Sequence, residues 1–285
     1  MTERVRDDDL ERQTMLDRNL QQRAFYDTPS YQRGNVITGL WRRARRSLYY
    51  VRDHLQITAL IEQRHREWLG DLAGKRVLDL GCYAGNPLSL EIAQQSACYL
   101  GLDLSAAGIT QLQQQLEQEH IPHATAQVGD FLARDFPYPP FDVVYAVSVL
   151  HHFEHFDTVL KLLHARLVPG GSVITTDPLN TCWSIRLVRR LYRPFQSDAA
   201  WEWPFTQRSL AQIERYFEIE AVQGVMGYAK WAVPLAMLPY GRGPAIRVGR
   251  RLHAWDQHAA TQPGPGLWRC LHVAMHLRRR DDAMW

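Results

Sequence analysis

The stretch VLDLGCYAGNPLSL, residues 77 to 90, decides how this chain is read. An apolar run carrying Asp79 ends at a turn bounded by Gly81 and Gly85, and a helical pattern follows. That is a strand, a glycine turn and a helix start. Glycines at such a turn let backbone approach a ligand and let the helix begin abruptly. The helix N-terminus then offers unsatisfied N–H groups and a partial positive charge. Tyr83 stands between the two glycines and no third glycine follows, so the GxGxxG dinucleotide pattern is not met. A side chain is allowed at position 83 if the backbone keeps a negative φ. The Tyr83 ring is then expected to rise from the turn towards the N-terminal segment, as part of a pocket wall.

Outward from this turn, strands and helices alternate. Arg76 to Leu80, Cys98 to Leu102, Ala124 to Val128, Phe141 to Val147 and Ser172 to Thr176 read as strands. Leu88 to Gln95, Ala107 to Gln118 and Asp157 to Leu167 read as helices, the last stopped by Pro169-Gly170-Gly171. Strict alternation implies parallel strands joined by right-handed crossovers, an α/β doubly wound sheet. Residues 1 to 70 read as mostly helical, with Trp41, Ala44, Leu48, Val51 and Leu55 forming one apolar stripe. Within them, FYDTPSYQRGN is a loop broken by Pro29 and Gly34.

Further on, Thr206 to Phe217 reads as a helix capped by Thr206, without an acid three residues later to close a capping box. Phe217 to Gln223 and Leu271 to Leu277 alternate with period two and read as strands. Two insertions interrupt this part. One spans about 181 to 204 and is rich in Trp, Tyr, Phe and Arg. The other spans about 228 to 266 and carries WAVPLAMLP, then a helix with Val248, Leu252 and Trp255 on one face.

Composition narrows the class. The chain has 285 residues, 46% of them hydrophobic, enough for a large core. No run of eighteen apolar residues suggests a membrane span, and the charged start MTERVRDDDLERQ does not resemble a secretory signal. Cys82, Cys98, Cys182 and Cys270 form no CxxC pair, which points to reduced thiols in the cytoplasm and to no metal site. Net charge is +3, so bulk electrostatics do not demand nucleic acid. The clusters WRRARRS (Trp41 to Ser47) and LRRR (Leu277 to Arg280) read as a solvated helix face and a charged strand end.

Ligands bind outside the carboxyl ends of the strands in open α/β sheets. There the chain carries VLDLGCYAG, then GLDLS at Gly101 to Ser105, GDF at Gly129 to Phe131, FDVVYAVSVLHHF at Phe141 to Phe153, and LVPGGSVITTDP at Leu167 to Pro178. In this order and spacing the series resembles the class I S-adenosylmethionine (SAM)-dependent methyltransferases, near their ubiquinone/menaquinone-methyltransferase-like small-molecule branch. The resemblance covers about residues 71 to 178, and more loosely Thr206 to Gly224 and the closing strand. It implies a seven-stranded Rossmann-like sheet whose last strand is antiparallel, with residues 1–70 as a helical cap, 71–180 as the SAM-binding core and 181–285 completing the same domain with lid insertions.

For the cofactor SAM, the resemblance implies that Asp79, Gly81, Cys82, Tyr83 and Gly85 wrap the methionine part. Asp103 takes the ribose hydroxyls and Leu104 packs on the adenine. Asp130 accepts from the adenine amino group, Phe131 lies beside the ring, and Val147 and Ser148 close the pocket. No lysine stands in the turn, which suits a sulfonium rather than a phosphate. His151 and His152 are candidates for a general base, or simply cap the loop after the fourth strand. Asp177 either positions the acceptor or starts the turn before Pro178. Tyr26 and Tyr31 lie over the pocket or make plain core contacts. Trp201, Trp203, Phe205 and Trp231 line an acceptor pocket or glue the insertions to the sheet.

The expected activity is methyl transfer to a small lipophilic or aromatic acceptor, with oxygen favoured as the accepting atom. Alternatives are an RNA or protein methyltransferase docking through RRARR, a protein that uses SAM otherwise, and a non-catalytic partner subunit. For the last, WAVPLAMLP and the Val248–Leu252–Trp255 face would be protein or peripheral membrane docking surfaces.

Overall fold

The computed structural model describes Thr14, Asn19 and residues 36–133, 135–195 and 201–282. Tyr26 and Tyr31 lie outside the described residues.

Seven strands form one sheet: β1 (Arg76–Leu80), β2 (Cys98–Asp103), β3 (Ala124–Val128), β4 (Phe141–Val147), β5 (Leu167–Pro178), β6 (Phe217–Val225) and β7 (His272–Arg279). Their order is β3-β2-β1-β4-β5-β7-β6. The pairs from β3 through β5 are parallel, while β7 runs antiparallel to both β5 and β6. The order reverses between β1 and β4, so the crevice outside their carboxyl ends is the switch point where such sheets bind ligands. The expected α/β doubly wound, Rossmann-like sheet is present, with the antiparallel strand where the alternating Leu271 to Leu277 placed it.

The helices are α1 (Val36–His54), α2 (Ile57–Leu69), α3 (Ser89–Gln95), α4 (Ala106–Gln118), α5 (Phe156–Ala165), α6 (Trp183–Tyr192), α7 (Gln207–Tyr216), α8 (Ala232–Ala236) and α9 (Arg242–Ala259). One core layer packs β-sheet residues such as Val144, Val173 and Met275 on Leu160, Leu163 and Ile213 of α5 and α7. A second packs Val77, Tyr99 and Tyr145 on Ile92 of α3 and Leu112 and Leu116 of α4. A third joins Val51, Ile57, Ala232 and Ile246, from α1, α2, α8 and α9, to Val225 and Ala274 of the last two strands. The predicted stripe of α1 faces inwards, with Val51 and Leu55 buried and Arg42, Arg43, Arg45 and Arg46 exposed.

Several local expectations are corrected. Pro169-Gly170-Gly171 does not stop a helix. α5 ends at Ala165, and the triplet is an irregularity inside β5, where Phe141 pairs Leu167 but Val143 pairs Ser172. Gly170, at φ 70, supplies the left-handed residue that the irregularity needs. The capping box of α7 does close, with the Ser209 hydroxyl accepting from Thr206 N in place of an acid. The inward face of α9 carries Ala245, Ile246, Gly249, His253 and Asp256. Val248 and Trp255 are exposed instead, and Trp255 stacks on Tyr228 at 4.4 Å. The Arg-rich segment is the charged end of β7, and its side chains are held there, Arg278 by Glu220 and Arg279 Nη1 by Leu167 O at 2.6 Å.

Candidate functional site

A cavity of about 400 Å³ opens at the switch point, and its wall is built from the carboxyl ends of successive strands. Leu80 and Gly81 come from the end of β1, Leu102 to Ser105 from β2, Gly129 to Phe131 from β3, and Ser148, Val149, His152 and Phe153 from beyond β4.

The glycine turn is braced from two sides. Asp79 is fully buried and accepts from Asn86 Nδ2 (2.8 Å), Ser89 Oγ (2.5 Å) and Tyr99 OH (2.8 Å). Burial raises its pKa to about 6 against the pull of those three donors. Asp103 holds the other side, its Oδ2 accepting from Tyr83 N at 2.9 Å and its Oδ1 from Ser105 N at 2.7 Å. Ser105 in turn caps α4, accepting from Gly108 N. Gly81 sits at φ 68, and a Cβ on it would stand 2.4 Å from Val149 Cγ2, so both conformation and space demand glycine.

Tyr83 adopts φ 47, not the expected negative value. Its ring half-lines the cavity and lies against α4, where a Cβ at Gly108 would meet Tyr83 Cδ2 at 2.6 Å. The expected place in the pocket wall is filled, but the described contact is with α4 rather than with the N-terminal segment.

Asp130 and Phe131 line the cavity. Asp130 accepts from Leu132 N at 2.8 Å and, through both oxygens, from Asn19 Nδ2 at 2.9 and 3.1 Å. Asn19 is itself buried and lines the cavity, a residue the sequence reading missed. One asparagine in a polar, Gln-rich segment carries no local signal. Leu80, Leu102, Ser105, Gly129, Val149 and Phe153 were also missed, although their position at strand ends beside the motifs pointed to them. The Arg166 guanidinium lies 4.3 Å from the Phe131 ring centre and holds that ring from behind.

Other expected residues do not line the cavity. Asp79 pins the turn from inside, and Cys82 is buried in the second core layer with its thiol pKa pushed far up by burial. Gly85 and Val147 are not among the lining residues; Val147 packs on the same core layer as Cys82. Asp177, expected to face the acceptor, is fully buried at the end of β5. There it accepts from His151 N (3.1 Å), His151 Nδ1 (2.8 Å) and the Thr175 hydroxyl. His151 is buried, its ring centre 4.2 Å from that of His152, and only His152 reaches the cavity. His152 Nδ1 donates to Trp201 O at 2.7 Å and Trp203 N to His151 O at 2.7 Å. Trp201 and Trp203 therefore serve the site through backbone. Phe205 is core, 4.9 Å from Phe156, and Trp231 is exposed beside Lys230.

The polar edge continues to His272, at the start of β7. Its buried Nδ1 has no partner among the described residues, and burial with the charges of Arg52, Arg189 and His151 lowers its pKa to about 3.

A sheet of this order with its cavity at this switch point invites comparison with known families. The family model described as a methyltransferase domain matches residues 51–222. The chain belongs to the methyltransferase domain family. Among curated relatives of this methyltransferase-domain chain, a phthiotriol/phenolphthiotriol dimycocerosates methyltransferase of Mycobacterium ulcerans is 31% identical over 157 residues, covering 54% of this chain and 52% of the relative. A ubiquinone biosynthesis O-methyltransferase of Pseudomonas fluorescens is 35% identical over 104 residues, covering 36% and 44%. The chain thus spans about half the length of the curated relatives it matches. Among solved structures, the [4+2]-cyclase SpnF shares the fold at TM-score 0.51 and 17% identity, covering 79% of this chain and 80% of that one. That protein is named as a cyclase, so the fold by itself leaves the reaction open.

Proposed function

We propose that this protein transfers a methyl group from S-adenosylmethionine to a small lipophilic acceptor. One observation carries the reading. Two carboxylates, Asp103 and Asp130, stand at the ends of adjacent strands on either side of an apolar wall of Leu102, Leu104 and Phe131, and no Lys or Arg is among the described lining residues. That donor set suits a ribose, an adenine and a sulfonium, and it is unsuited to a phosphate. Asp103 would take the ribose hydroxyls and Asp130 the adenine amino group, with Leu104 and Phe131 against the base. Gly81 and Tyr83 would border the methionine part, while Asp79 keeps their turn rigid.

When bound, SAM supplies an electrophilic methyl group. The chain's own task is to hold the acceptor in line and to receive its proton. His152, which lines the cavity, would take that proton. Its Nδ1–H donates to Trp201 O, so Nε2 is the nitrogen that would take the proton. His151 and Asp177 stand behind it as a braced pair. An acceptor hydroxyl fits such a base, and the O-methyltransferase and dimycocerosate relatives support oxygen and a lipophilic acceptor. The arginine groups of α1 share no lining residue with the cavity, so the macromolecular alternative has no support at this site.

Titration calorimetry with S-adenosylhomocysteine (SAH) tests the cofactor site. Wild type is expected to bind, and Asp103→Ala to bind at least about tenfold more weakly, the loss of a charge-assisted pair. No binding by wild type would sink the proposal. Methyl-labelled SAM with a lipid extract, followed by mass analysis, then identifies the acceptor.

A further inference from the structure

We propose that helix α6 and the arginine groove beside it form a docking surface for an anionic phospholipid bilayer. This does not depend on the chemistry of the cavity.

Helix α6 has no buried residue, although Trp183, Leu187, Val188 and Leu191 are large and apolar. Trp183 is 75% exposed and Leu191 67%. At 100° per residue these four fall within one sector of the helix, and Arg186 and Arg190 border it on the Trp183 side, both exposed. A soluble helix normally turns such a sector inwards. A strongly amphipathic helix with an aromatic and leucine edge beside arginines is instead the pattern that lies in a headgroup layer. No helix among the described residues is long and apolar enough to cross a membrane, so α6 would lie on the surface.

The neighbouring surface matches that partner in charge. The Trp41 ring of α1 stacks on Tyr192 of α6 at 3.9 Å, and Arg43 Nη2 of α1 donates to Met237 O at 2.6 Å. Between α1 and residues 236–242 runs a groove of about 660 Å³ lined by Arg42, Arg43, Arg46 and Arg242, without an acid in its described lining. Leu238 and the fully exposed Tyr240 stand on its rim.

The asymmetry extends along the chain. Residues 36–52, 178–195 and 226–255 contain five, four and five Lys or Arg, fourteen of the chain's 33, and none of its 30 Asp and Glu. A net charge of only +3 conceals this concentration. Phosphate headgroups in the groove and the apolar edge of α6 between acyl chains satisfy both halves of the surface at once.

Co-sedimentation of the full chain with vesicles tests the proposal. Binding is expected to vesicles containing about one third phosphatidylglycerol, with little to pure phosphatidylcholine, and binding should weaken steeply as salt approaches about 0.5 M. R42Q/R46Q/R242Q and, separately, L187S/L191S should each lower partitioning on the order of tenfold or more. All five side chains are exposed, so unchanged melting temperatures verify folding. Equal binding to neutral vesicles, or wild-type binding by either variant, overturns the proposal. So does complete displacement by glycerol phosphate with L187S/L191S unaffected, which would mark a site for soluble anions. A dimer that L187S/L191S converts to monomer, with lipid binding unchanged, would assign the apolar edge to a second copy of the chain.

Discussion

At the scale of single residues, Tyr83 is the informative one. An L-residue in the left-handed region costs on the order of 1–2 kcal/mol. The turn accepts that cost because Asp103 holds the Tyr83 N–H and the ring finds a flat seat over Gly108. Gly108→Ala would put a methyl group 2.6 Å from the ring and 2.9 Å from the Tyr83 carbonyl carbon. It is expected to destabilise by about 1–3 kcal/mol in urea unfolding and to weaken SAH binding. Tyr83→Gly should recover part of that stability in the double variant, because the ring is gone and glycine accepts the backbone. Simple additivity of the two changes would show that ring and helix are not in contact. The tautomers of His151 and His152 are set in the same local way, by a carboxylate and by a carbonyl.

At the scale of elements, small polar contacts fasten helices to the sheet. α7 begins with the reciprocal Thr206–Ser209 box, so Thr206→Ala should cost about 1 kcal/mol in urea unfolding without affecting SAH binding. His65 of α2 bridges two strands, with Nδ1 on Tyr145 OH of β4 at 3.0 Å and Nε2 on Thr176 Oγ1 of β5 at 2.9 Å. Burial lowers its pKa to about 4, so the folded protein keeps it neutral while the unfolded chain protonates it near 6.5. The unfolded state then binds more protons between these values, and the His65 contribution is present above pH 6.5 and lost as pH falls towards 4. The stability difference between wild type and His65→Gln is expected to narrow by roughly 3 kcal/mol over that window. A difference that stays constant with pH would show that His65 is hydrated. Asp79 works in the opposite sense, since its raised pKa stabilises the fold as pH drops from about 6 towards 3.8, and the comparison with His65→Gln cancels it.

At the scale of the whole molecule, the carboxyl ends of neighbouring strands carry the candidate site. Turn, strand ends and Asn19 meet only when β1, β2, β3 and β4 are in register, so ligand binding reports on global folding. Saturation with SAH at about one hundred times its dissociation constant should add about 2.7 kcal/mol and raise the melting temperature by roughly 4–5 °C. Asp103→Ala, at about tenfold weaker binding, should remove about half of that shift at the same SAH concentration, and more if binding falls further. The surface is divided as sharply as the interior, because three acid-free segments on the third core layer gather fourteen cations.

The sequence by itself determined the alternation of strands and helices, which follows from hydrophobic period and glycine placement, both local along the chain. The antiparallel last strand and the roles of the motifs came from the family resemblance. Asp103, Asp130 and Phe131 were legible as cavity-lining residues because they stand at strand ends on the side where sheets of this kind bind ligands, within motifs the resemblance picked out. Only the tertiary structure decided that Asp79, Cys82 and Asp177 face inwards, since one residue's rotation about a strand end separates a wall from a brace. It alone joined Asn19 to Asp130 across 111 residues, and it alone left the apolar edge of α6 in solvent. Both depend on what packs against what, and no local pattern encodes the identity of a distant partner.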